Sequence, residues 1–316
     1  MLSRRIAAKI RQALMGIKDF IIGRSALGVI SLLRLFPADG AINFAGRFAR
    51  RFGPYFGRHR VALDNLRHAY PEKSDAEIEA IAQDMWENMG RLAAEYIYLD
   101  DLFDFDKATE SGDRIEVDGK DVFLRIAGED KPHIVFTGHI GNFELLPVAG
   151  AALGVKVTAL FRPPNNPYIA DFIHNRRNAS MGDLLASRQG AAFALSRILE
   201  RGGNIGVLVD QKFTNGVRGT FFGRTCETSP LLPKLVRHFE CDVYPARCIR
   251  LPNNRYRLII EERLELPRTA SGTIDVSATA QLMNEVVEGW VRENPGQWMW
   301  FHKRWKLSLN ARRRTR

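Results

Sequence analysis

The chain predicts an α/β fold, on three observations. Short apolar runs alternate with helical patterns between residues 134 and 210, helical periodicity precedes them, and three of the runs end on polar residues: His139, Arg162 and Asp210. In such folds ligands collect beyond the carboxyl ends of the strands, so the three ends point to one cleft.

The elements follow in order. Leu14, Ile17, Ile21 and Ile22 recur at helical spacing, but Lys18, Asp19, Arg24 and Arg34 break the stretch, and the uncharged run 25–33 is far shorter than the ~20 residues a bilayer crossing needs. An amphipathic helix lying in a membrane interface is expected over residues 1–40, with its basic side chains reaching toward head groups. No cleavable secretory leader is expected, since charges interrupt the apolar region and no small-residue cleavage site follows. Ser74-Asp75-Ala76-Glu77 is a capping box, and it opens a helix that carries Ile78, Ile81, Met85 and Met89 toward a core. Ile134-Val135-Phe136 reads as a strand, as do 155–161 and 204–210, with helices at 167–178 and 191–201 between them. A helix after Ser229-Pro230, strands at 243–249 and 256–261, and a helix over 277–293 complete the pattern.

With 316 residues and 45% hydrophobic content the chain can bury a large core, and no linker-like stretch divides it. The main domain is expected at 41–306, followed by a basic tail at 307–316. The net charge of +10 is uneven: residues 1–60 carry twelve Lys/Arg against Asp19 and Asp39, and 303–316 carry seven and no acid, so the rest of the chain is net acidic. Basic ends on an acidic body suit an anionic membrane surface better than a nucleic-acid groove; the alternative for the C-terminal run is ordinary solubilising charge. Cys226, Cys241 and Cys248 lack Cys-x-x-Cys spacing and are expected to be reduced and structural. No His-Glu-x-x-His segment is present, and Gly202-Gly203-Asn204-Ile205-Gly206 precedes a strand instead of following one. Neither a metal nor a nucleotide cofactor is expected.

The chemistry centres on Thr137-Gly138-His139-Ile140-Gly141-Asn142-Phe143-Glu144. A strand that stops at a histidine presents it at a sheet edge, and flanking glycines let the backbone turn sharply. Glu144 falls where a first helical turn can aim it back at the imidazole. Imidazole titrates near neutrality, so His139 suits a general base and a carboxylate suits its orienter; the reaction suggested is attack by an alcohol on an acyl group. The pair alone also occurs by chance, as a histidine and a carboxylate with no catalytic role.

Gly141 and Asn142 offer backbone N–H groups near the helix start for the oxyanion. Arg162 suits a phosphate or the reacting carbonyl, or else a salt bridge within its loop; Arg176 suits a lipid phosphate or solvent. Asp210 and Gln211 are expected to support the site or bind the acceptor, the alternative being that Asp210 caps a turn. Residues 219–224 suit either a loop lining an acyl groove or an ordinary buried loop. Trp298, Trp300 and Trp305 beside Lys303, Arg304 and Lys306 suit either a membrane interface or core packing.

Taken together, these segments resemble the lysophospholipid-acyltransferase-like superfamily and, within it, the secondary acyltransferases of lipid A biosynthesis. The resemblance spans nearly the whole chain. It rests also on Asn65-Leu66-Arg67 through Tyr70-Pro71-Glu72, Met89-Gly90-Arg91 with Glu95, Phe161-Arg162-Pro163 with Asn166-Pro167, Asp210-Gln211, Phe221-Phe222-Gly223, and 295–304 from Pro-Gly-Gln-Trp-Met-Trp onward. Glu144 and the Gln-Trp-Met-Trp segment favour the lipid A branch. The hydrophobic N-terminal membrane helix common there is interrupted here by charges.

The resemblance implies a central mixed sheet flanked by helices and a His139/Glu144 mechanism. The acyl group would pass from an acyl carrier protein thioester to a hydroxyl of a lipid A precursor at the cytoplasmic face of the bacterial inner membrane, with acyl carrier protein as co-substrate and no cofactor. Lauroyl, myristoyl and much longer chains stay open. The alternatives are another glycolipid or a lysophospholipid as acceptor, a thioester hydrolase, or an inactive peripheral membrane-binding protein.

Overall fold

The N-terminal third is helical. The computed structural model describes residues 2–104, 112–161, 164, 166–180 and 182–307. Arg162 and all but the first residue of the expected basic tail therefore lie outside the described residues. Helix α1 (Leu2–Leu33) runs along one side of the molecule, and α2 (Ala38–Phe52), α3 (Arg58–Ala69) and α4 (Asp75–Glu95) follow. Among described residues no helix is long and apolar enough to cross a membrane.

The amphipathic helix expected over 1–40 is not confirmed. Leu14, Met15, Ile17, Phe20, Ile21 and Ile22 of α1 are all exposed and, at about 100° per residue, spread over more than half of the helix circumference instead of one narrow stripe. The two-faced helix is α2. It buries Ala41, Ile42 and Gly46, and leaves Phe44, Phe48 and Phe52 exposed at four-residue spacing. The α2–α4 contact is tight, since a Cβ on Gly90 would sit 2.4 Å from the Ala45 carbonyl oxygen. The capping box is formed: Ser74 Oγ accepts the Glu77 N–H at 3.4 Å and Glu77 Oε2 accepts the Ser74 N–H at 2.8 Å.

A short α5 (Leu99–Leu102) leads toward the sheet, whose elements are β1 (Ile115–Asp118), α6 (Lys120–Gly128), β2 (His133–Thr137), α7 (Leu145–Ala152), β3 (Val157–Phe161), α8 (Pro167–Ser180), β4 (Leu184–Ala186), α9 (Ala191–Glu200) and β5 (Asn204–Leu208). A hairpin follows, β6 (Val217–Phe221) with β7 (Arg224–Thr228), then α10 (Leu231–Phe239), β8 (Asp242–Leu251), β9 (Arg255–Ile260) and α11 (Val276–Glu293). The strand order is β1-β9-β8-β2-β5-β3-β4, with β8 and β9 antiparallel and every other neighbouring pair parallel. The sheet is mixed and helices cover it, as expected.

Alternation along β2 assigns the two faces. Ile134 and Phe136 enter a core with Leu195 of α9, Val236 of α10 and Val287 and Trp290 of α11. Val135 and Thr137 point the other way, toward α7.

The segment 219–224 is not a loop but the tip of the β6–β7 hairpin, the end of β6 and the start of β7 joined by a turn at Phe222 and Gly223, both at positive φ (50° and 67°). Phe222 donates its N–H to Glu288 Oε2 at 2.6 Å, and its ring packs edge-on against Tyr70 and Trp300. The C-terminal tryptophans are core residues: Trp298 and Trp300 are fully buried, and Arg304 beside them donates to Glu227 O, Thr228 Oγ1 and Asn284 Oδ1.

Candidate active site

Strand register builds the site. Residues Thr137 of β2 and Leu208 of β5 are opposite one another, and the ladder continues when Val209 N–H donates to Thr137 O at 3.0 Å. Two residues beyond that pair, His139 and Asp210 stand side by side. Asp210 Oδ1 meets His139 Nδ1 at 2.7 Å, and Oδ2 accepts both the His139 backbone N–H and the Trp298 indole N–H, each at 2.7 Å. Burial disfavours a charge on Asp210, but His139 and then Trp298 outweigh it and hold the carboxyl well below the usual carboxylate range. An ionised carboxylate at Nδ1 fixes the ring proton there and turns the lone pair out on Nε2. The side-chain amide of Gln211 faces that Nε2 at 2.9 Å.

The turn after His139 is locked from below. Gly141 has φ +56°, and a Cβ there would lie 2.0 Å from the Cys248 carbonyl oxygen, so only glycine fits. Asn142 donates from Nδ2 to Glu95 at 2.8 Å and accepts the Glu144 N–H at 3.2 Å. Buried Glu95 in turn pairs with Arg250 and accepts from Tyr256 Oη at 2.7 Å. Removing one partner of such a buried pair costs about 3–5 kcal/mol, so this network is a foundation for the turn.

Above the turn lies a cavity of about 660 Å³ between the sheet and α7. Val135, Val157, Ala159, Gly206, Leu208 and Ala246 form its sheet wall, and Leu146, Pro147 and Gly150 of α7 face them. Its lining also includes His139, Glu144, Tyr96, Gln211, His302 and Arg58. The site is therefore a mostly apolar cavity with an imidazole in its wall, whose Nε2 meets the Gln211 amide.

The chain matches the family described as bacterial lipid A biosynthesis acyltransferase over residues 18–307. It belongs to that family. Similar proteins include lipid A biosynthesis acyltransferase 2 of Shigella flexneri, 25% identical over 284 residues that make up 88% of this chain and 87% of that protein. The lipid A biosynthesis myristoyltransferase of Escherichia coli (strain K12) is also 25% identical over 284 residues, 89% of this chain and 85% of the relative.

Within this acyltransferase the expected site residues divide into four groups. His139, Glu144 and Gln211 come together in the cavity wall. Glu144 starts α7, and its carboxylate accepts a hydrogen bond from Tyr96 Oη; the bond on His139 Nδ1, expected from Glu144, comes from Asp210. Asp210 is only 4% exposed, with both oxygens engaged by His139 and Trp298.

Of the oxyanion donors expected at Gly141 and Asn142, the Gly141 N–H donates to Gln297 O at 3.0 Å. Arg162 lies outside the described residues, and Arg176 sits in α8, its side chain likewise outside them.

Sequence reasoning missed the site roles of Trp298, Tyr96, His302 and Arg58. Trp298 had a signal, since the Gln-Trp-Met-Trp segment stood out; the contact that uses it, an isolated bridge between Trp298 and Ile140, is long-range.

Among described residues one group could hold a cation, Glu129, His133 and Asp242, at the opposite end of β2. Lys131 Nζ already reaches both carboxylates, at 3.2 and 2.9 Å.

Proposed function

We propose that this acyltransferase adds a fatty acyl chain to a hydroxyl of a lipid A precursor, with an acyl carrier protein thioester as donor. The observation that carries the reading is the cavity: lined mostly by apolar side chains, as an alkyl chain requires, with His139 in its wall. The reading is supported by family membership and by the names of the relatives.

In this mechanism the acceptor hydroxyl takes the place of the Gln211 amide at Nε2. His139 removes its proton as the oxygen attacks the acyl carbon, and the ionised Asp210 stabilises the imidazolium that forms. The acceptor oxygen is itself the nucleophile, so no acyl-enzyme forms. The proton then leaves with the departing thiolate. Glu144, anchored by Tyr96, belongs to the wall beside this chemistry. Arg58 in the cavity lining, and Arg162 and Arg176, are assigned to acceptor phosphates.

The exposed Phe44, Phe48 and Phe52 of α2, with Arg47 and Arg51 on the same helix, support docking on the cytoplasmic face of an anionic inner membrane. Chain length stays open among lauroyl, myristoyl and longer.

Mass spectrometry of lipid A tests the reading in cells lacking the protein and in cells complemented with wild type or His139→Ala. Loss of one acyl chain, restored by wild type alone, is the expected result. Unchanged lipid A in a strain without a redundant enzyme would transfer the reading to another glycolipid or a lysophospholipid. Release of free fatty acid without acceptor, and with no acylated product, would make the protein a thioesterase.

A further inference from the structure

With the Gly141 N–H committed to Gln297 O, the oxyanion is open to a further donor. His302 lines the same cavity as His139. Its Nε2 accepts the backbone N–H of Lys212 at 2.9 Å, which puts the single proton of the neutral ring on Nδ1. Among described residues Nδ1 has no protein acceptor.

The two rings are held by consecutive residues, His139 Nε2 by the Gln211 side chain and His302 Nε2 by the Lys212 backbone, so one strand end places both at the cavity. The turn that carries His302 is fixed: Asn65 Nδ2 donates to the carbonyls of Trp300 at 2.7 Å and His302 at 2.9 Å, and Arg304 N–H donates to His302 O at 2.9 Å.

We propose that His302 is a second catalytic histidine, whose Nδ1–H donates to the acyl carbonyl oxygen and stabilises the oxyanion formed when His139 activates the acceptor. The proposal rests on the acyl-transfer reading above. In the step, the hydroxyl proton passes to His139 Nε2 while its oxygen bonds to the carbonyl carbon, and the C=O electron pair moves to the oxygen held by His302. Collapse restores C=O and breaks the C–S bond, and the thiolate takes the proton from His139. The His302 proton is never transferred.

A neutral imidazole suits this role because it donates without competing for the proton that His139 acquires. Burial first, and the neighbouring charge of a protonated His139, push the His302 pKa down to about 4, so the ring stays neutral through turnover.

Two conservative variants separate this role from a structural one. In His302→Asn the amide nitrogen falls near Nδ1 and keeps the donor but loses the Lys212 contact; in His302→Gln the amide oxygen reaches the Nε2 position and keeps that contact but loses the donor. Steady-state kinetics on the full-length protein, with an acyl carrier protein thioester and a lipid A precursor, should show kcat reduced about 10²- to 10³-fold in His302→Gln and KM within about threefold. His302→Asn should retain more kcat than His302→Gln. A His302→Gln variant with wild-type kcat, or a loss confined to KM, overturns the proposal, and does so even if His302→Asn fails to fold. Wild type that transfers acyl chains to no acceptor refutes the underlying reading instead.

Discussion

Strand β2 carries a histidine at each end, and both meet a carboxylate. His133, at the start, is fully buried, with Nε2 2.7 Å from Glu129 and Nδ1 3.0 Å from Asn204 Oδ1. Both ring nitrogens face oxygen acceptors, and it is not among the residues that line the cavity beside His139. His139, past the other end, gives only Nδ1 to a carboxylate and turns Nε2 toward a replaceable amide at a cavity. A His–carboxylate contact is therefore a weak sign of catalysis. The position of the second nitrogen, and the space beside it, separate a base from a structural clamp.

Swapping the roles of these two residues is the strongest way to break the contrast. His139→Ala should lower turnover about 10³-fold with little change in thermal midpoint, since general-base assistance is commonly worth 10²–10⁴. Turnover within tenfold of wild type would equate the two histidines. His133→Phe should do the opposite: activity per folded molecule unchanged, and stability reduced by about 1–3 kcal/mol in urea unfolding through loss of buried hydrogen bonds. A large activity loss at unchanged stability would contradict the structural assignment.

The cavity beside His139 is open to a sharper test. Gly206 lies on β5 opposite Val135 and Ala159, and a Cβ there would already approach Val157 Cγ1 to 3.1 Å. Gly206→Leu should fill the slot and shift donor preference to chains shorter by about two or more carbons, as methylenes lose room. Equal use of long and short donors would place the chain elsewhere.

The smallest expected effect concerns pH. With a folded pKa near 4 against an ordinary 6.5, His302 contributes stability in full above pH 6.5, and that contribution fades as pH falls toward 4. Its partial exposure limits the term to the order of 2 kcal/mol. Wild type should thus lose more stability than His302→Gln between pH 7.5 and 5, measured by urea unfolding at both; parallel losses would show that the ring does not resist protonation.

Local patterns in the sequence were enough for much of the fold. The capping box at Ser74, the strands ending near His139 and Asp210, and the helix ending at Glu293 all lie where periodicity put them. Two kinds of feature were not legible. The β6–β7 turn demands positive φ from Phe222, which few non-glycine residues adopt, so nothing in the local pattern announced it. The orienter of His139 is 71 residues away, brought close only because β5 pairs with β2. Glu144 is near in sequence, and proximity in sequence favoured it. Likewise, the oxyanion expectation assumed a free N–H at Gly141, whereas the tight turn there gives it to Gln297 O, 156 residues on in the chain.

Asp210, not Glu144, meets Nδ1 of His139. The most direct test compares turnover of purified Asp210→Asn and Glu144→Gln with wild type on an acyl carrier protein thioester and a lipid A precursor, product counted by mass spectrometry and folding checked by thermal melt. The account predicts a loss of about 10²- to 10⁴-fold for Asp210→Asn, which no longer stabilises the imidazolium, and a smaller loss for Glu144→Gln. A folded Asp210→Asn variant near wild-type rate, with Glu144→Gln inactive, would contradict it and return the orienting role to Glu144.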